Sequence, residues 1–217
     1  MVSEAEDRLD PMTNSSDRLV WIDCEMTGLD LEKDELVEIA VVITDYDLNL
    51  VDPGIDIVIK PDASALENMG DFVREMHTSS GLIEEIPNGV SLADAEYQVL
   101  EYVLKFVPNE QKAPLAGNSI GTDRAFLSKF MPRLDSHLHY RNIDVSSIKE
   151  LSRHWFPRAY FHAPAKDGGH RALADILESI RELAYYRKAI FVTDPGPTSD
   201  EAKAAATAVV DEFAPAM

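Results

Sequence analysis

The sequence has a single cysteine, Cys24, among 217 residues, so no intrachain disulfide can form and nothing calls for an oxidising compartment. The expected location is the reducing cytoplasm. Basic side chains are scarce as well, with 20 Lys and Arg against 39 Asp and Glu and a formal net charge of −19. Long nucleic acids are held by Lys and Arg that displace phosphate counterions. A broad basic groove is therefore excluded, and any nucleic-acid substrate has to be short, its phosphates met by bound metal. No stretch approaches the roughly 18 apolar residues of a membrane span. The opening residues, Met1 to Asp7, lack the basic segment and apolar run of a secretion signal. There is no internal repeat.

What is present is 45% hydrophobic content, ordinary for one globular domain with tails at this length. Residues 1–17 are polar and aperiodic, with five acids against Arg8, and read as a disordered lead-in. Residues 18–193 carry the organised domain. Residues 194–217 form an acidic, Ala- and Pro-containing tail with little apolar surface to dock.

Within the domain, Leu19 to Gly28, Leu36 to Thr44 and Gly54 to Ile59 read as three strands joined by short turns, an antiparallel meander. Ala63 to Pro87 gives mixed signals, read as short helical pieces and loops. Ser91-Leu-Ala-Asp94 has the form of a helix start, and Leu92, Ala95, Val99, Leu100, Val103 and Leu104 continue at helical spacing to Pro108. Pro114 to Gly117 predicts a strand, Asp123 to Phe130 a helix and Arg141 to Val145 another strand. Ser147-Ile-Lys-Glu150 has capping-box form ahead of a helix reaching Trp155. A long amphipathic helix follows Gly168 and Gly169, with a stripe of Leu173, Ile176, Leu177, Ile180, Leu183 and Ala184. A meander followed by alternating helix and strand predicts a mixed α/β sheet with helices on its faces.

Asp23 and Glu25 stand near the end of the first strand. Side chains at i and i+2 leave a strand on the same face, so these carboxylates sit a few ångströms apart and repel unless a cation lies between them. Hard oxygens suit Mg²⁺ or Mn²⁺. Asp123, His170 and Asp175 complete the candidates. Taken singly, each has a plain structural account. Asp123 suits the first turn of a helix, Asp175 a solvated helix face, and His170 a glycine-flanked loop. Their joint occurrence, in this order and on these elements, is what those accounts leave unexplained.

The sequence resembles the oligoribonucleases, members of the DEDDh exonuclease superfamily. Three blocks carry the resemblance: Trp21-Ile-Asp-Cys-Glu-Met-Thr-Gly-Leu29, Gly117-Asn-Ser-Ile-Gly-Thr-Asp-Arg124 and His170-Arg-Ala-Leu-Ala-Asp175. Family-like segments also occur at His77-Thr-Ser-Ser-Gly-Leu82, His139-Tyr-Arg-Asn-Ile-Asp-Val-Ser146 and Glu182-Leu-Ala-Tyr-Tyr-Arg187, so the resemblance spans Leu19 to Lys188. It implies a ribonuclease H-like fold with a five-stranded mixed sheet flanked by helices. It also implies two-metal hydrolysis of short oligoribonucleotides, dinucleotides above all, from the 3′ end to mononucleotides, the ions lying roughly 3.5 to 4 Å apart.

By that resemblance Asp23, Glu25, Asp123 and Asp175 hold two divalent cations, Mg²⁺ or Mn²⁺, and His170 is the general base. An imidazole suits the task because its unperturbed pKa of about 6.5 leaves it mostly neutral at pH 7. Leu29 is implied to wedge between two bases and Phe72 to stack on one, where the family often has Trp. Ser119, Arg141 and Ser146 are implied to hold the terminal phosphate, and His77 to line the site. Tyr140 is implied to come from the second protomer of a homodimer. Two rivals remain at this stage. A DNA proofreading exonuclease of the same superfamily would accept long single-stranded DNA. A non-catalytic relative that kept the fold would be expected to lose at least one of the five residues, and all five are present.

Overall fold

In the computed structural model, residues 17–165 and 168–213 are described. The disordered segment expected over the first seventeen residues falls almost wholly outside them. The first strand, β1 (Leu19–Met26), lies at the centre of a five-stranded sheet. On one side it pairs antiparallel with β2 (Leu36–Thr44), which pairs antiparallel with β3 (Ile55–Val58). On the other it runs parallel to β4 (Pro114–Gly117), which runs parallel to the edge strand β5 (His139–Asp144). The order β3-β2-β1-β4-β5 is the mixed sheet expected from the sequence.

The alternation of β1 explains its central place. Val20, Ile22, Cys24 and Met26 point into one buried layer, and Leu19 and Trp21 into the other. The first layer is closed by α4 (Leu92–Phe106), α5 (Gly121–Phe130) and α6 (Pro132–His137). Its helix α4 starts as anticipated, with the Asp94 amide donating to Ser91 Oγ at 3.1 Å. The second layer is closed by α7 (Val145–Trp155) and α9 (Ala172–Ala189), beside α8 (Pro157–Phe161). The Trp21 indole satisfies its one donor there by bonding Thr44 Oγ1 at 2.9 Å. Fully burying a large aliphatic or aromatic side chain contributes about 1.5–3 kcal/mol. Several such residues on β1 and β2 offset the cost of the carboxylates that share those strands.

The uncertain stretch resolves into α1 (Ala63–Asn68), α2 (Asp71–Ser79), α3 (Leu82–Glu85) and a 3-10 turn over Ile86–Asn88. Helix α7 begins two residues before Ser147, because the Asp144 carboxylate caps it by accepting from the Ser146 amide at 2.9 Å. Leu177 does not belong to the buried stripe of α9 and is exposed. That helix turns a broad face inward, burying Ala172, Ile176, Ile180, Leu183 and Tyr186 together with the polar Glu178, Ser179 and Glu182. Beyond it, α10 (Ser199–Phe213) buries no residue, in keeping with a tail that has little to dock. Among the described residues, no helix is long and apolar enough to cross a membrane.

Candidate active site

Strands β1 and β4 run parallel, but their pairing stops at Trp21 and Ala116. Strand β4 ends at Gly117 while β1 runs on along β2 to Met26, and a crevice opens beyond the carboxyl end of β4, the place where ligands of open α/β sheets bind. Past the end of the pairing with β4, the Cys24 amide donates to Asp123 Oδ1 at 3.1 Å. This bond fixes the acid of α5 against the acids of β1. From the other side, Asp175 in the first turn of α9 and His170 just ahead of that helix approach the same space. Glu25, His170 and Asp175 each offer a ligand atom within 4.8 Å of the others. The cavity, of about 550 Å³, is lined by Asp23, Glu25, Asp123, His170 and Asp175 and flanked by Leu29 and Phe72.

Leu29 and Phe72, both lining the cavity, are 74% and 80% exposed, so their apolar surfaces are open to whatever occupies it. Gly28 lets the chain turn toward Leu29, since a Cβ there would collide with the Asp34 carboxylate. That carboxylate closes the loop by accepting from Thr27 Oγ1 at 2.9 Å and the Asp30 amide at 2.8 Å. Ser119 also lines the cavity, at φ +54°, and His170 has φ +48°. They are two of four described non-glycine residues in the left-handed region, a conformation that has to be held by its surroundings.

The remaining expected residues do not line the cavity. Ser146 stands just behind it, its Oγ 3.0 Å from Ser119 Oγ and donating to Asn118 Oδ1 at 2.9 Å. Tyr140 and Arg141 lie exposed on β5, with the guanidinium 5.4 Å from the tyrosine ring. His77, expected to face the substrate, is instead fully buried. Its Nε2 bonds the Met26 carbonyl at 2.8 Å and its Nδ1 stands 3.9 Å from Glu25 Oε2, so it backs a carboxylate rather than the cavity. Burial also pushes its imidazole below the ordinary histidine range.

The electrostatics are those of an anionic pocket. Burial, and then the negative fields of Glu38, Asp175 and Asp123, push Glu25 up to about 8. Burial first, and then Asp123, Asp175 and Glu25, raise Asp23 well above the usual carboxylate range. Asp123 is raised by burial to about 6 in spite of two backbone hydrogen bonds that favour its charge. Carboxylates so arranged either take up protons or receive a cation. Hard oxygen donors with one imidazole beside them fit a divalent ion of the Mg²⁺ or Mn²⁺ type.

Sequence reasoning missed two residues of this region. Glu38 is a fully buried charge in the apolar run of β2, directly opposite Glu25, and Arg171 follows His170 in the chain. Arg171 Nε donates to Glu38 Oε1 at 2.8 Å. A lone acid in an otherwise apolar strand is the signal that marks Glu38.

Residues 20–183 match the model of the RNase T exonuclease family. The chain is 74% identical to an oligoribonuclease of Leifsonia xyli over 206 residues, covering 95% of this chain and all of that one. It is 61% identical to an oligoribonuclease of Streptomyces coelicolor, covering 88% of this chain and 96% of that one. A solved complex of Escherichia coli exonuclease I with single-stranded DNA and zinc superposes with a TM-score of 0.63 at 14% identity. It covers 80% of this chain and 41% of exonuclease I, and at that identity the likeness concerns the fold. By sequence and by the fold it adopts, the chain belongs to the oligoribonuclease family of 3′-to-5′ exonucleases, enzymes that hydrolyse phosphodiester bonds.

Proposed function

We propose that the protein is a two-metal-ion 3′-to-5′ exoribonuclease of the cytoplasm that degrades short oligoribonucleotides, especially dinucleotides, to mononucleotides. The observation that carries this reading is the convergence of Asp23, Glu25, Asp123, Asp175 and His170 on one cavity flanked by the exposed Leu29 and Phe72. A volume of about 550 Å³ suits a small ligand rather than a polymer tract. The net charge of −19 argues the same way, since long RNA would meet repulsion over most of the surface.

In this reading the four carboxylates hold two divalent cations, Mg²⁺ or Mn²⁺. Bound there, such ions supply Lewis-acid polarisation of the phosphodiester and charge stabilisation of the attacking and leaving oxygens. His170, exposed at the cavity mouth, takes the proton of the attacking water. Leu29 and Phe72 bracket the bases; a phenyl ring keeps the π face that stacking needs. Ser119 and Ser146, their hydroxyls adjacent, receive the 5′ phosphate with Arg141, a planar donor suited to such an anion. His77 serves this site from behind Glu25. The test compares release of mononucleotides from a diribonucleotide, a longer RNA and a single-stranded DNA. Turnover is expected to be fastest on the diribonucleotide, to stop with chelator and to return with Mg²⁺ or Mn²⁺. An intact diribonucleotide beside a trimmed DNA strand would reject the reading.

The reading extends to a homodimer in which Tyr140 reaches the partner's site. Tyr140 is 73% exposed on the edge strand, and Trp155 and Phe161 are exposed nearby in sequence on α7 and α8. Tyr140→Ala is expected to keep the protomer folded while lowering diribonucleotide turnover by about ten-fold, the scale of an interface aromatic. Wild-type activity should also decline on dilution below the dimer's dissociation constant. A monomeric species with full activity, seen by light scattering beside the assay, would remove the dimer from the mechanism.

A further inference from the structure

We infer that Arg171, gripped by Glu38 and Glu85, is a positioning residue that sets where the His170 imidazole stands over the cavity. The inference rests on the reading of His170 as the base. Arg171 is the residue ahead of α9, and its side chain does not cap that helix. The cap comes from β2 instead. Glu38 Oε2 accepts from the Ala172 amide at 2.9 Å, while Oε1 accepts from Arg171 Nε at 2.8 Å and pairs in charge with Nη2, also 2.8 Å away. The outer edge of the same guanidinium forks onto Glu85, with Nη1 to Oε1 at 2.9 Å and Nη2 to Oε2 at 3.1 Å. Asp56 of β3 adds a carboxylate at 4.0 Å.

One planar cation thus ties the chain immediately after His170 to β2 and to α3. Helix α3 follows α2, which carries Phe72 of the cavity lining. Ahead of His170 stand two glycines. Gly168 has φ +64°, and at both Gly168 and Gly169 the space a Cβ would occupy is open. The left-handed backbone at His170 is followed directly by this anchored arginine. The Glu85 fork on one edge of the guanidinium and Glu38 Oε1 on the other fix that arginine, because an arginine fork sets direction as well as distance. Lysine keeps the charge but cannot make the fork.

The test is a set of purified full-length variants assayed on a diribonucleotide with saturating Mg²⁺, each also measured for thermal unfolding. Arg171→Lys is expected to lower kcat by about 10- to 100-fold, the cost of a misplaced catalytic group, and to change KM by no more than about two-fold. Glu85→Gln, at a half-exposed residue, is expected to lower kcat in the same direction with an unchanged melting temperature. In a His170→Ala background, Arg171→Lys is expected to cause no further loss, because its effect runs through the imidazole. Wild-type kcat in Arg171→Lys or in Glu85→Gln overturns the inference. So does a loss from Arg171→Lys as large without His170 as with it, which is the mark of a general structural role. If His170→Ala itself keeps wild-type turnover, the base reading fails and the inference with it. If His170→Ala is inactive and Arg171→Lys is not, only the inference fails.

Discussion

Replacing His170 by alanine is expected to leave the fold and cation binding in place and to cut diribonucleotide turnover by about 10²- to 10⁴-fold, the usual share of a general base. The reasoning is geometric. His170 is exposed, lies ahead of α9 rather than within it, and belongs to neither large core layer, so its removal takes away little packing. The carboxylates of β1 and α5 keep their own supports. Asp123 stays bonded to the Cys24 amide, and Glu25 stays backed by His77. Calorimetric titration with Mg²⁺ should therefore resemble that of the wild type while kcat collapses. Near-normal kcat would remove His170 from the reaction, and lost cation binding would recast it as a ligand, since its ring lies within 4.8 Å of Glu25 and Asp175.

The second large effect is expected from Glu25→Gln, which should oppose activity and stability. Losing a charged oxygen donor should lower turnover by at least about 10²-fold, since even groups one layer behind a metal ligand cost 10- to 100-fold. In chelator the fold should gain. Burial, with Glu38 as the next cause, raises the folded Glu25 carboxyl from an ordinary 4.5 to about 8. Below the lower value the group is protonated in folded and unfolded chains alike. As pH rises from there through 8, the unfolded chain ionises freely and the folded one resists, so stability falls across that window. The loss is on the order of a few kcal/mol. Glutamine has nothing to ionise. The chelated variant at pH 8 should melt several degrees above the chelated wild type, and saturating Mg²⁺ should narrow the gap by stabilising the wild type. A chelated wild type with the same melting temperature at pH 5 and pH 8 would contradict this account.

Much of this architecture could be read before any coordinates. The strand period of two put Asp23 and Glu25 on one face, and the helical period set α4 with its Ser91 cap. Those signals are local and repeat over several residues, so they survive tertiary context. The parts that were not legible depend on partners far along the chain. Arg171 and Glu38 are 133 residues apart, and no pattern in either segment announces the other. His77 reads as a site residue, yet its ring is taken up by the Met26 carbonyl, 51 residues away. Leu177 fits an ideal stripe, but α9 packs against both the sheet and α7, which moves the centre of its buried face away from that residue. At the start of α7, Asp144 outcompetes Ser147 because its carboxylate serves the Ser119 and Ser146 amides together.

The capping of α9 by Glu38 ties the end of the domain to its beginning. Glu38 comes early in the chain, while the Arg171 guanidinium and the Ala172 amide that bind its carboxylate come 133 and 134 residues later. The last helix of the domain is thus seated by a side chain that precedes it by more than half the length of the sequence, and a chain cut short before Arg171 would leave Glu38 with neither the amide nor the guanidinium that bind it.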